Sequence, residues 1–243
     1  MKVLSFIPAR ENSKRIPKKN IRMFCSKPLL SYVIKQSLDS PHINRTIVST
    51  ESPKIARVAK QYGAEVPFLR PKRLASDLSN VDDSIRYTLA RLKKEEAYEP
   101  THFVILQTTS PLREQSDIDQ CFEVMKRTGA TTVLTVSPTH PKLYHLSKRN
   151  DLILVNGSEK KQSTTQLWEK GYLLNGCVVY LVDVKAFLKE GRVITKKSKA
   201  VIMPKWRSID LDDPEEWVIA EILYKNRKRI EQKINKIDHE KRA

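Results

Sequence analysis

The chain has 243 residues, of which 40% are hydrophobic and 30% charged, and its formal net charge is +17. This length suits one sizeable α/β domain, and no apolar run approaches the roughly 20 residues that cross a bilayer, which excludes a membrane-spanning protein. The three cysteines are widely spaced and form no CxxC pair, so they indicate neither a disulfide framework nor a zinc site.

The positive charge predicts an anionic partner, either nucleic acid, an anionic membrane or a nucleoside triphosphate. Part of this charge lies in residues 225–242, where apolar residues occur only at intervals. That pattern favours a solvated helix or a frayed tail over a nucleic-acid-binding arm. Because the first ten residues hold only a short apolar run, typical of a buried strand and not of a signal peptide, we expect a cytoplasmic protein.

Short aliphatic runs alternate with longer segments of helical period, which predicts a single domain over 1–243 with a doubly wound, mainly parallel α/β sheet. Strand 102–107 is the most continuously apolar and is expected to be central. The alternation weakens over residues 140–172, a predicted appendage. The predicted strands are 3–8, 46–49, 65–69, 102–107, 131–136, 178–182 and 200–203, and the predicted helices are 28–38, 53–62, 81–92, 116–127, 184–189 and one from 214 onward.

A basic loop at residues 7–20 follows the first predicted strand. In open α/β sheets ligands bind at this carboxyl edge, and cations there can clamp the oxygens of a triphosphate. Small residues such as Ala9 allow close approach of the backbone, and Pro17 stiffens the loop. The loop contains no glycine, which disfavours a P-loop enzyme. Its charged residues are Arg10, Glu11, Lys14, Arg15, Lys18 and Lys19.

A second motif, RSIDLDD, occupies residues 207–213. In an extended segment Asp210 and Asp212 project from one face, while the residues on either side of Asp210 point into the core. Two carboxylates on one face are a typical magnesium site, because Mg²⁺ takes one or two carboxylates together with substrate phosphates. Asp213 is predicted to cap the helix that begins at Pro214. For the aspartate pair alone, a simple turn before a helix is an equal alternative.

Five motifs in order then carry a resemblance to a known family. The chain resembles the acylneuraminate cytidylyltransferases, which include the CMP-sialic acid synthetases, with legionaminate and pseudaminate cytidylyltransferases as close relatives. The motifs cover nearly the whole chain and are IPARENSKRIPKKN at 7–20, LRPKRLASD at 69–77, LQTTSPLR at 106–113, LNGCVVY at 174–180 and RSIDLD at 207–212.

The resemblance implies a Rossmann-like nucleotidyltransferase fold and a reaction in which the anomeric hydroxyl of a nine-carbon sugar acid attacks the α-phosphate of CTP and releases pyrophosphate. It also implies a homodimer, with the region from 145 to 172 completing the partner's site. By motif, catalysis would rest on Arg10, Lys14, Lys19 and Asp212. The nucleotide would contact Ala9, Arg10, Lys19, Asn20 and Arg70, the sugar would contact Gln107, Lys142 and Asn175, and Mg²⁺ would bind Asp210 and Asp212.

Departures from the family pattern concern the acceptor sugar. Arg15 stands where sialate enzymes commonly have glycine, and it resembles relatives that act on dideoxy-diamino nonulosonates. Leu173 replaces an arginine that is frequent in sialate enzymes. Arg15 favours a legionaminate-like acid, whereas Leu173 removes a possible contact to the polar substrate and leaves the exact sugar open. Lys142 is equally a surface lysine, and three functional alternatives stay open: a 3-deoxy-octulosonate cytidylyltransferase, a GTP-using relative, and a nucleic-acid-binding protein.

Overall fold

A computed structural model describes residues 1–76, 79–155, 170–174 and 178–240. The strands are β1 Val3–Pro8, β2 Met23–Phe24, β3 Lys27–Pro28, β4 Arg45–Ser49, β5 His102–Ile105, β6 Thr132–Thr139, β7 Tyr144–Leu146, β8 Leu152–Leu154, β9 Gly171–Leu173, β10 Tyr180–Asp183 and β11 Ser198–Ile202. The helices are α1 Leu29–Leu38, α2 Pro53–Gln61, α3 Val81–Glu96, α4 Gln115–Thr128, α5 Val184–Glu190 and α6 Pro214–Glu240.

One large sheet forms the centre of the molecule, with strand order β11-β6-β10-β5-β1-β4 and β9 added at the end of β6. Strand β1 pairs in parallel with β4 and β5, so Phe6 lies between Ile47 and Ile105. Strand β11 is parallel to β6, whereas β10 runs antiparallel between β5 and β6. The predicted, mainly parallel sheet is therefore confirmed, with β10 reversed and β9 also antiparallel to β6.

Helices cover both faces of this sheet. Along β1, Val3 and Ile7 point to a cluster that includes residues of α1, α2 and α4, whereas Leu4 and Phe6 point to a cluster that includes residues of α3 and α5. Because these strands are buried on both faces, their sequences are continuously apolar. The doubly wound arrangement is thus confirmed. Among the residues that the structure describes, no helix is long and apolar enough to cross a membrane.

The predicted strand at 65–69 is wrong. Only Glu65 forms a bridge, parallel to Ile47, with its N–H on the Thr46 carbonyl at 2.8 Å. Pro67 has no N–H to continue a ladder, and the chain turns away until Arg70 donates its N–H to the Thr50 carbonyl at 2.8 Å. This turn of the chain, with the hydrogen bond to Thr50, places Arg70 beside the end of β4.

Residues 140–172, predicted as an appendage, contain a β-hairpin and one further strand in their described part. Strands β7 and β8 form the hairpin, and β9 pairs with the end of β6 at Ser137–Thr139. At the other end of the chain, α6 extends through Glu240, and its last ten residues are exposed. The basic C-terminal segment is therefore a solvated helix over the residues described.

A small third core joins the two motifs that the sequence singled out. Ile16 of the basic loop and Leu211 of the aspartate segment pack together with Phe24 and with Trp217 of α6. The rings of Phe24 and Trp217 meet edge to face at 5.6 Å, so Trp217 is a packing residue. This core brings the basic loop and the aspartates to the same place.

Candidate functional site

A cavity of about 540 Å³ opens at the carboxyl ends of β1 and β5. This is the size of small-molecule sites, at the sheet edge where α/β folds bind ligands. Thr108, Thr109 and Ser76 also line it and were not predicted as site residues. The predicted site residues that line the cavity are Arg10, Lys14, Lys19, Asn20, Arg70, Gln107 and Asp212, together with Arg15.

The basic loop is held at both ends by backbone groups and by Asn20. The N–H of Ala9, which is buried, donates to the Ser49 carbonyl at 3.0 Å and so extends the pairing of β1 with β4. Asn20 Nδ2 donates to the Arg10 carbonyl at 2.7 Å, and Asn20 Oδ1 accepts from the Thr108 hydroxyl at 2.6 Å. The Asn20 amide therefore fixes the shape of the loop, which keeps the Arg10 backbone against the cavity.

Two cations of the loop converge on Asp212. Lys19 Nζ donates to the Leu211 carbonyl at 2.6 Å and lies 3.4 Å from Asp212 Oδ1. Arg15 Nη2 lies 2.9 Å from Asp212 Oδ2. The basic loop and this carboxylate thus meet in the folded chain, across almost two hundred residues of sequence.

Asp210 and Asp212 flank Leu211, which is fully buried and donates its N–H to the Thr109 carbonyl at 2.9 Å. Asp210 Oδ1 is buried and has no hydrogen-bond partner. Burial raises the pKa of Asp210 and the Asp212 charge raises it further, while the Thr109 hydroxyl and Lys19 lower it. A buried carboxylate oxygen without a donor, beside a second carboxylate, is costly unless a cation is held there.

This donor set fits a magnesium ion better than a transition metal. Asp212 lines the polar cavity and Asp210 precedes it by two residues outside the lining; carboxylates in such a setting leave coordination positions for water and phosphate oxygens, as Mg²⁺ prefers. Within the described part of the chain, no three side chains of His, Cys, Asp or Glu converge as a closed metal site would need. Any divalent ion here would depend on the substrate for further ligands.

Arg70 is buried and is held by Glu51. Its Nη2 lies 3.2 Å from Glu51 Oε2, and its Nη1 donates to the Ser84 hydroxyl at 3.4 Å. Burial lowers the pKa of Arg70, and the Glu51 charge raises it. The other carboxylate oxygen of Glu51 accepts the Glu11 N–H at 2.8 Å, so Glu51 connects Arg70 to the basic loop. Glu51 was not predicted as a site residue, because a single acidic residue after a strand carries no recognisable pattern.

Arg113 supports the other wall of the cavity. The guanidinium donates to the carbonyls of Gln107, at 3.1 Å, and of Val178, and to Gln36 Oε1 at 3.0 and 3.1 Å. Burial lowers the pKa of Arg113 to about 10, so it remains charged at neutral pH. Its bonds hold the segment that carries Gln107 and Thr108. The motif at 106–113 contains this arginine, but its supporting role was not predicted.

Arg207 and Asp213 anchor the two ends of the aspartate segment. Arg207 forms a bidentate pair with Asp117 near the start of α4, at 2.6 and 3.0 Å. Asp213 Oδ1 accepts the Glu216 N–H at 2.9 Å, which confirms the predicted cap of α6. The carboxylates between these anchors are therefore held on a short, fixed span.

Two predicted sugar contacts are not part of this cavity. Lys142 lies between β6 and β7, outside the cavity lining, and its N–H donates to His140 Nδ1 at 3.2 Å. Its role remains a prediction. Asn175 lies outside the described residues.

Comparisons with known proteins find relatives over nearly the whole chain. The sequence model of a family described as cytidylyltransferase matches residues 4–187. The chain is 33% identical to the CMP-N,N'-diacetyllegionaminic acid synthase of Legionella pneumophila, over 92% of this chain and 96% of that protein. It is 30% identical to a pseudaminic acid cytidylyltransferase of Campylobacter jejuni, over 93% and 97% respectively.

Among solved structures, the fold resembles CMP-2-keto-3-deoxy-manno-octonic acid synthetase complexed with CTP. The TM-score is 0.67 at 14% identity, and the match covers 93% of this chain and 100% of that one. At this identity the likeness concerns the fold alone.

Proposed function

The chain belongs to the cytidylyltransferase family, and on that premise we propose that it transfers CMP from CTP to the anomeric hydroxyl of a nine-carbon 2-keto sugar acid, with release of pyrophosphate. The observation that carries the proposal is the meeting of Lys19 and Arg15 with Asp212 at the mouth of a cavity of triphosphate size. Phosphoryl transfer depends mainly on positioning and on neutralising charge, which such an arrangement provides.

Each side of the cavity has a part in this reaction. Arg10, Lys14 and Lys19 bind triphosphate oxygens, and Lys19 is kept in place by the Leu211 carbonyl. Asp210 and Asp212 would hold Mg²⁺, which when bound neutralises charge on the reacting phosphate. Gln107 faces the sugar, and its backbone carbonyl accepts a hydrogen bond from Arg113 that holds it in place.

For the acceptor we propose an acid of the legionaminic class. The Legionella relative named for such an acid matches nearly the whole chain, and Arg15 and Leu173 depart from the sialate pattern at two positions. Arg15 lines the cavity, and Leu173 lies on β9.

A homodimer is also proposed, with the described strands of the appendage as its interface. Among the residues of 143–174 that the structure describes, eight large hydrophobic residues are exposed in the single chain, and they include Leu146, Leu152 and Tyr172. An exposed apolar surface of this kind is typical of a protein interface.

The test is pyrophosphate release over a matrix of CTP, GTP, ATP and UTP against legionaminic, pseudaminic, sialic and octulosonic acids. We expect turnover with CTP and legionaminic acid, abolished by EDTA and restored by Mg²⁺. Turnover with octulosonic acid alone, or with GTP alone, would replace the proposal by the corresponding alternative. No turnover with any pair, together with salt-sensitive retention of RNA, would favour a nucleic-acid-binding protein.

A further inference from the structure

The two cations that meet at Asp212 differ in how firmly they are held. The Lys19 side chain is only 14% exposed, and its ammonium is fixed by the Leu211 carbonyl at 2.6 Å. The Arg15 side chain is 65% exposed, and its 2.9 Å contact with Asp212 Oδ2 is made at the cavity mouth. Asp212 thus has one fixed and one replaceable counter-cation.

An exposed ion pair contributes little free energy, because water screens the attraction and two flexible side chains must be ordered. Arg15 can therefore leave Asp212 at small cost. A triphosphate offers it a better partner, since the planar guanidinium binds phosphate oxygens in a bidentate manner and such charge-assisted bonds are strong. Arg15 lines the same cavity, so this exchange requires a side-chain movement only.

We propose that Arg15 is an exchangeable counter-cation for Asp212. In the free protein it pairs with Asp212 Oδ2, and when CTP and a divalent cation bind it releases this oxygen and pairs with the triphosphate. The inference rests on the proposed function. Its consequence is coupled binding: a divalent cation alone must compete with Arg15, whereas a cation that arrives with nucleotide does not.

The experiment compares wild type with Arg15→Gln in two binding measurements made without sugar acid. Free Mn²⁺ is followed by electron paramagnetic resonance during titration of the protein alone, and CTP binding at saturating Mg²⁺ is measured by calorimetry. We expect Arg15→Gln to bind Mn²⁺ about threefold more tightly, on the scale of an exposed ion pair. We expect it to bind CTP about tenfold more weakly, on the scale of one charge-assisted hydrogen bond.

The matched control is Lys18→Gln, which removes one positive charge from the same loop at an exposed residue outside the cavity lining. The affinities for Mn²⁺ and for CTP should each change by less than about twofold, because salt screens an exposed charge that lies outside the cavity. Arg15→Lys keeps the charge and should leave Mn²⁺ binding as weak as in wild type. The opposite signs of the two effects distinguish exchange from a structural role.

If Arg15→Gln binds Mn²⁺ no more tightly than wild type, while wild type binds CTP with Mg²⁺, the exchange is refuted and the proposed function stands. Absence of Mn²⁺ binding by both proteins, with or without CTP, would overturn the exchange together with the metal site. Far-UV circular dichroism and thermal unfolding of each variant confirm that the fold is intact.

Discussion

Asp212 is the carboxylate at which cations of the basic loop meet the aspartate segment. Its two oxygens face Arg15 and Lys19, and its backbone N–H donates to Glu216 Oε2 at 2.7 Å. The carboxylate is therefore oriented from the backbone and balanced by cations. Asp213, the next residue, is occupied in capping α6. Neighbouring aspartates thus have different partners, since Asp212 faces two cations of the basic loop and Asp213 caps a helix.

Asp212→Asn should lower kcat at least ~100-fold, on the scale of losing one strong transition-state stabiliser, because the amide keeps the shape but not the charge. Steady-state pyrophosphate release at several Mg²⁺ concentrations measures the effect. The control is Asp213→Asn, which should retain near-normal activity because asparagine caps helices as well as aspartate. Near-normal activity of Asp212→Asn at limiting Mg²⁺ would refute the metal site.

At the scale of elements, the aspartate segment is attached to α4 through a buried ion pair. Arg207 and Asp117 are both buried, and Asp117 also accepts the Glu114 N–H at the start of the helix at 2.8 Å. A buried pair adds little net stability, but removing one partner leaves a buried charge and is strongly unfavourable.

Arg207→Met should therefore lower the free energy of unfolding by about 3–5 kcal/mol, measured by urea denaturation near neutral pH. Adding Asp117→Asn should recover at least ~1 kcal/mol, because the orphaned charge is removed and an amide oxygen remains for Glu114. A double variant no more stable than Arg207→Met would show that the pair acts by packing alone.

Strand β5 begins with His102, whose surroundings lower its pKa. Burial lowers the pKa of His102 below its ordinary 6.5, the chain's amino terminus lowers it further, and Asp183 opposes both. The unfolded chain therefore binds this proton at a higher pH than the folded chain does. The His102 contribution to stability is complete above pH 6.5 and is lost as pH falls through the folded pKa.

The prediction is a His102 pKa below 6.5 in a ¹H NMR titration of the five histidines, with His102→Gln identifying the resonance. In urea denaturation, wild type should lose more stability between pH 7.5 and pH 5 than His102→Gln does. A His102 pKa above 6.5 would show that the Asp183 contact, at 3.7 Å, outweighs burial.

At the scale of the whole molecule, the exposed apolar side chains of the appendage contrast with the surrounding charge. Leu146 is 63% exposed and Leu152 is 67% exposed, on the paired strands β7 and β8. Such residues are disfavoured on a monomer of high net charge unless another surface covers them.

Leu146→Asp combined with Leu152→Asp should convert the proposed homodimer to monomers, because each substitution places a charge in an apolar interface. Sedimentation velocity measures the mass, with Leu188→Asp on α5, also exposed, as the control. Activity should fall with dimer content if the appendage completes the partner's site. A monomeric wild type would contradict the proposal.

Sequence patterns alone predicted most elements, the basic loop, the aspartate pair and the cap at Asp213. Each of these features depends on residues that are close in sequence, because periodicity, charge spacing and a helix-start residue each act over a few neighbours. The prediction of a strand at 65–69 was wrong for the same reason. Its apolar pattern is local, whereas strand formation also requires a neighbouring strand to pair with, and Pro67 interrupts that pairing.

Tertiary structure decided which distant residues support the site. Glu51 meets Arg70, Arg207 meets Asp117, and Arg15 meets Asp212, in each case between separate segments of the chain. No local sequence pattern predicts these contacts. The packing of Ile16 against Leu211 and the pairing of the strands determine which side chains face each other. The sequence by itself therefore determined the kind of chemistry, through its cations and carboxylates, and the fold determined which cation each carboxylate holds.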